Sequence, residues 1–254
     1  MEYFESISQL LGGGYRPLLF YTCAILIGMS KTGIHGVGTL SVPALAFLFG
    51  AKTSTGVLLP ILCIADLMAV LYYRRELQLK NISKLLPWTV VGLGIALAVG
   101  NQIHPSGFRV LMGICIFLGL AILVWSERKK DIEVVTQSKF YAPLFGLMVG
   151  FATMIGNAAG PIVTVYLLSM RLNKIAFVST GAWFIMSVNF IKMPLQIWIW
   201  DNLDLPTLLL GLTTVPFIAI GALLGIRLVK ILPEKEFRQS MIVLTVIATL
   251  FLFF

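Results

Sequence analysis

Apolar residues run through this chain in blocks rather than in alternation, and most blocks are as long as a bilayer is thick. Segments 54–73, 108–125, 175–198 and 205–228 are each close to the ~20 residues that cross the hydrocarbon core as one helix. Segments 85–99 and 241–254 are shorter, and 85–99 reaches across only with its flanks. Two further apolar stretches, 15–49 and 140–169, are interrupted. The first contains Ser30-Lys31-Thr32-Gly33-Ile34-His35-Gly36-Val37-Gly38-Thr39 and the second Gly156-Asn157-Ala158-Ala159-Gly160-Pro161. Irregular backbone at membrane depth persists only where protein or a water-filled cavity satisfies its N–H and C=O groups. Two matched interruptions therefore predict two helix–break–helix pairs around one central site.

The interruptions belong to a longer repeat. Gly28, Gly38 and Lys52 recur 122 positions later as Gly150, Gly160 and Lys174, which sets His35 opposite Asn157. Further on the offset becomes 129, carrying Pro87, Gly92, Phe108, Arg109 and Met112 onto Pro216, Gly221, Phe237, Arg238 and Met241. The second half thus holds about seven extra residues, placed around 198–204.

Corresponding loops carry opposite charge bias. Arg74, Arg75, Lys80 and Lys84 follow the first full span, whereas the matching loop has Asp201 and Asp204 and no basic residue. The next pair reverses this, with one basic residue in 98–109 and Arg227, Lys230, Lys235 and Arg238 in 227–238. Short cytoplasmic loops collect Lys and Arg, so the halves are expected to insert in opposite senses. The prediction is an all-α polytopic membrane protein of two inverted-topology repeats, each a broken or re-entrant helix pair plus three transmembrane helices. Residues 1–126 form the first repeat, 127–139, with Arg128-Lys129-Lys130, a cytoplasmic linker, and 140–254 the second. Both termini then lie on the external face. The pattern leaves open whether the broken pairs cross fully or re-enter.

Composition narrows the function. Only 12% of the 254 residues are charged, against roughly a quarter in a soluble domain, so no room remains for one. The net charge of +8 resides in short loops, and no nucleic-acid partner is expected. Residues 1–17 lack the basic-then-apolar pattern of a signal peptide, so the N-terminus is expected to be retained. Cys23, Cys63 and Cys115 sit far apart in apolar runs, suggesting neither disulfides nor zinc, and no cofactor is expected. The glycines at 33, 36 and 38 lack the strand–turn–helix setting of a dinucleotide fold, and no catalytic motif is present. An enzyme is not expected; His35 and Asp66 as acid and base would still lack a nucleophile. Gly146/Gly150, Gly156/Gly160 and Gly221/Gly225 have the spacing of close helix packing.

The polar residues that hydrocarbon penalises converge on anion chemistry. Helices restarting at 36–39 and 158–161 present free N–H groups and a positive dipole end. Lys31 adds a charge beside the first break; Lys192 adds another, three residues after Asn189 and on its face. A mid-helix lysine costs roughly 2.5–3.5 kcal/mol to insert, so each is expected to face a partner or an aqueous cavity, or, for Lys192, to snorkel toward Trp198 and Trp200. Asp66, the only acid inside a clear full span, pairs with Lys31 or Lys192, or titrates and couples transport to protons. Ser30, Thr32, Thr39 and Thr153 are available as neutral donors. The candidate binding set is Lys31, Thr32, His35, Gly36, Gly38, Asn157, Gly160, Asn189 and Lys192, with Asp66 as proton-coupling group or structural ion-pair partner.

Ser30-Lys31-Thr32-Gly33-Ile34 with Gly36 and Gly38, Leu58-Leu59-Pro60 through Asp66 to Tyr73-Arg74-Arg75, and Leu85-Leu86-Pro87-Trp88 form an ordered series. With Asn157-Ala158-Ala159-Gly160-Pro161, Tyr166-Leu167-Leu168 and Asn189-Phe190-Ile191-Lys192-Met193-Pro194, the series resembles the TauE/SafE family of sulfite exporters across nearly the whole chain. That resemblance implies an inner-membrane transporter of small sulfur-containing or carboxylate anions, with Lys31, Thr32, His35, Asn157, Asn189 and Lys192 at motif positions. The expected function is secondary transport of sulfite or an organosulfonate such as sulfoacetate by alternating access, with protons as a candidate coupling ion. An anion channel or a carboxylate transporter is the alternative. The expected partners are the anion and the lipid bilayer; a homodimer is left open.

Overall fold

The computed structural model describes residues 11–33, 37–74, 76–104, 140–170 and 172–233, with isolated positions at 106, 107, 110, 111, 114, 117, 118, 236, 239 and 243. The predicted spans at 108–125 and 241–254 and the linker at 127–139 lie, but for those positions, outside the described residues, as do Ile34, His35 and Gly36. Every regular element described is helical: α1 Arg16–Thr32, a 3₁₀ turn Val37–Leu40, α2 Ser41–Phe49, α3 Ala51–Tyr73, α4 Leu79–Gln102, α5 Tyr141–Gly156, α6 Ala159–Ser169, α7 Lys174–Trp198, α8 Leu205–Thr213 and α9 Val215–Ile231. Among the described residues α3, α4 and α7 are long and apolar enough to cross a membrane singly, and α8 with α9 makes a fourth span if the bent pair counts as one.

Both interrupted stretches fold back on themselves. The Arg16 guanidinium donates to Leu48 O at 2.7 Å, so the end of α2 returns beside the start of α1. Tyr141 Oη donates to Ser169 Oγ at 2.9 Å and joins the ends of α5 and α6 in the same way. The second reversal is made at Asn157, whose φ of 51° lets the chain leave α5 and restart at Ala159. Gly50, at φ 86°, turns the chain directly from α2 into α3.

These hairpins enter from opposite ends and reach far across. Lys52, at the start of α3, lies 5.5 Å from the Trp200 ring, which defines one end of the bundle; Arg74, Lys174 and Lys230 share a pocket at the other. The tip of α1 reaches the Lys230 end, where Tyr73 Oη donates to Thr32 O at 2.8 Å. The tip of α5 reaches the Trp200 end, where Asn157 Nδ2 donates to Thr55 O at 3.3 Å. Between them α3 and α7 pack together at the centre of the bundle.

The apolar run at 205–228, predicted as one span, is two helices meeting at 49° around Thr214. Pro216 has no N–H for Leu212 O, and its ring crowds that carbonyl. Proline alone does not force the break, because Pro87 lies inside the unbroken α4. At Thr214 the ladder tightens: its N–H bonds to Gly211 O at 3.1 Å, three residues back, and its hydroxyl donates to the same carbonyl at 2.5 Å, whereas the matching position in α4 is Leu85.

Glycine sets the spacing of two helix pairs. A Cβ on Gly28 would lie 2.2 Å from Ile218 O, and one on Gly221 2.0 Å from Ile25 O, so α1 and α9 touch backbone to backbone. Gly150 and Gly92 do the same for α5 and α4, at 2.0 Å from Thr89 O and 2.4 Å from Leu147 O. Close approach of this kind replaces the hydrophobic drive that lipid cannot supply. Gly221→Ala is expected to cost about 1–3 kcal/mol by overpacking. Gly94→Ala, a helix position with nothing within 4 Å, is expected to be neutral or slightly stabilising. Thermal unfolding of both variants in detergent checks the pair, and equal melting temperatures would remove the packing argument.

Candidate functional site

The last turn of α1 carries Lys31, and the centre of α3 carries Asp66. Their Nζ and Oδ1 atoms are 2.7 Å apart, with the carboxylate fully buried and the lysine side chain 15% exposed. The other carboxylate oxygen accepts from Asn189 Nδ2 of α7 at 2.7 Å. Of the two partners the sequence offered Asp66, the fold selects Lys31.

Three residues beyond Asn189, Lys192 is fully buried and points at the tip of α5. Its ammonium donates to Thr153 O at 2.9 Å, to Thr153 Oγ1 at 3.3 Å and, at short range, to Asn157 Oδ1. Thr153 O, which also accepts from Asn157 N–H at 3.0 Å, belongs to the final turn of α5, where the dipole is negative, so a cation there is well placed. Lys192 does not snorkel. Trp198 is 80% exposed while Trp200 is 4% exposed and packs inward, so the two tryptophans do not form one interfacial pair.

A cavity of about 70 Å³ opens between these groups, room for roughly five water molecules. Lys31, Asp66, Asn157 and Asn189 line it together with Ser30 and Thr153, and apolar side chains of α1, α3, α6 and α7 close its walls. Gly38 of the 3₁₀ turn and Ala159 and Gly160 of the first turn of α6 bring restarting backbone to its surface. First-turn N–H groups have no acceptor within their own helix, so this wall offers donors to an anion.

The sequence candidates divide accordingly. Lys31, Gly38, Asp66, Asn157, Gly160 and Asn189 come together around one space. Lys192 lies behind Asn157 and touches the cavity through it. Thr32 turns away: its hydroxyl lies 2.8 Å from Ala222 O and 3.0 Å from Gly28 O, tying α1 to α9. His35 and Gly36 lie outside the described residues, so the expected placement of His35 opposite Asn157 has no coordinates here.

Sequence reasoning missed one group of polar residues. Gln196, fully buried, donates from Nε2 to Thr55 Oγ1 at 3.2 Å, and Asn202 Nδ2 reaches the same hydroxyl at 3.4 Å and Lys52 O at 3.0 Å. Thr55 also receives Asn157 at its carbonyl, so it joins the cavity wall to the segment at 199–204. A signal was available: Asn189, Lys192 and Gln196 are spaced three and four apart and form one polar stripe along α7.

The model of the family "Sulfite exporter TauE/SafE" matches residues 20–252. Neither the curated proteins nor the solved structures compared with the chain give a match. A match over nearly the full length, on a helical bundle whose broken pairs border a polar cavity lined by Lys31 and Asp66, places this chain in the TauE/SafE family of sulfite exporters, a family of membrane transporters.

Proposed function

We propose that the protein is a secondary transporter that carries a small sulfur-containing oxyanion, sulfite or an organosulfonate such as sulfoacetate, across the inner membrane by alternating access. The observation that carries this reading is the Lys31–Asp66–Asn189 cluster on the wall of one cavity. Lys31 supplies the charge an anion needs, and the first turn of α6 supplies neutral donors. Asn157, steadied by Lys192 and Thr55, supplies a further polar contact.

The same cluster supports coupling to protons. Lys31 is neutralised by Asp66, so an anion that takes Lys31 leaves a fully buried carboxylate without its cation. An unpaired buried charge is strongly unfavourable, and uptake of one proton by Asp66 relieves it. Anion and proton then bind together.

Contacts between elements support two inverted repeats, 1–126 and 140–254, as the frame for this movement. Gly28 on Ile218 and Gly150 on Thr89 are the same contact under the offsets of 122 and 129, and so are Gly221 on Ile25 and Gly92 on Leu147. Each half lends its hairpin to a helix of the other. Rocking one pair against its counterpart exchanges access between the two ends.

In proteoliposomes Lys31→Gln, which keeps a donor for Asp66 but no charge, is expected to weaken sulfite binding about 10- to 100-fold, the worth of one charge-assisted hydrogen bond. For a sulfonate, whose own charge is constant, wild-type affinity is expected to tighten by about tenfold per unit fall in pH. Asp66→Asn flattens that dependence; a wild-type flux indifferent to a pH gradient would replace the coupled transporter by a channel. Lys192→Met is expected to act differently, lowering the melting temperature by removing about 1–3 kcal/mol while changing sulfite affinity of the folded protein only a few-fold. A large affinity loss with unchanged melting would return Lys192 to direct contact with substrate.

A further inference from the structure

A second pocket, of about 660 Å³, lies at the Lys230 end between the last turn of α3, the start of α7 and the end of α9, and shares no residue with the substrate cavity. Three cations line it, Arg74, Lys174 and Lys230, against one carboxylate, Glu76. Their surroundings hold them in place. Lys174 Nζ donates to Val229 O at 2.8 Å and Leu232 O at 3.1 Å, capping α9, and has a third donor uncommitted among the described residues. Lys230 Nζ sits 5.6 Å from the Tyr72 ring, and Arg74 has no acid or carbonyl partner among the described residues.

The rest of the wall is not that of a site for a free ion. Leu71, Tyr72, Ile175 and Val229 contribute apolar surface, and Leu71 and Ile175 are open to the surroundings of the bundle. Cationic heads above an apolar wall at the end of membrane-spanning helices match a molecule with a phosphate at one end and hydrocarbon at the other. Lys80 and Lys84, at the start of α4, belong to the same basic loop by sequence, and basic loops mark the cytoplasmic leaflet.

We propose that this pocket binds one anionic phospholipid, its headgroup phosphate held by Arg74, Lys174 and Lys230 and its acyl chain laid along Leu71 and Ile175. A lipid seated there bridges α3, α7 and α9. The proposal needs the protein only to be embedded in a membrane and stands apart from the identity of the cargo.

Native mass spectrometry of the full chain in mild detergent, titrated with phosphatidylglycerol, phosphatidylcholine or inorganic phosphate, tests it. The expected result is one retained phosphatidylglycerol, with phosphatidylcholine and inorganic phosphate each held at least tenfold more weakly. Arg74→Gln with Lys230→Gln is expected to weaken phosphatidylglycerol by about 25-fold, near fivefold per charge; Arg74→Lys with Lys230→Arg, which keeps both charges, is expected to restore most of it. Equal retention of the two lipids, or unchanged retention by the glutamine variant, overturns the proposal. Inorganic phosphate binding as tightly as phosphatidylglycerol also overturns it, because the apolar wall then contributes nothing.

Discussion

A fully buried carboxylate held 2.7 Å from an ammonium and 2.7 Å from an amide is the constraint to which the rest of this protein is fitted. Neither charge is tolerable there alone. Lys31 must therefore ride on a helix that stops inside the bundle, Asp66 on one that passes through, and Asn189 on a third that passes beside it. The glycine contacts that let α1 press against α9 backbone to backbone hold that first helix in register with Asp66. The break that follows it lets the chain turn back, so that Gly38 of the 3₁₀ turn reaches the wall of the same cavity as Lys31.

Around that pair several other buried polar groups are already engaged. Lys192 is spent on the end of α5 and on Asn157, Thr32 on α9, and Tyr73 on the tip of α1. What faces the cavity is left with donors to offer, and what lies behind it is already engaged. This separates a lysine that lines the cavity from one that holds its wall, although both lie in apolar sequence.

Much of this was legible in the amino-acid order because hydrocarbon makes polar residues conspicuous. The two interruptions, the long helices at 51–73 and 174–198 and the convergence of Lys31, Asp66, Asn157 and Asn189 follow from where charge and glycine interrupt apolar runs. Direction was harder to read. Thr32 and Lys31 are neighbours with similar signals, but one helical step of 100° sends the threonine to α9 and the lysine to the cavity. The bend at Thr214 was hidden because a threonine in an apolar run leaves hydropathy almost unchanged, while its hydroxyl alters which carbonyls the helix can use. Gln196 was hidden for another reason: its side-chain partner, Thr55, is 141 residues away in the chain.

The extra residues of the second half are not a slack loop. Asn202 O occupies the place where Gly56 would carry a side chain, Trp200 lies against Gly100, and Asn202 N donates to Gln196 O at 3.0 Å. By sequence offset the first half has no equivalent segment, so whatever symmetry relates the halves is spoiled at one end. Here the Trp200 end carries an added segment that shares Thr55 with the cavity wall, so the two ends of the bundle are unequal in build and the cavity is tied more firmly to one of them.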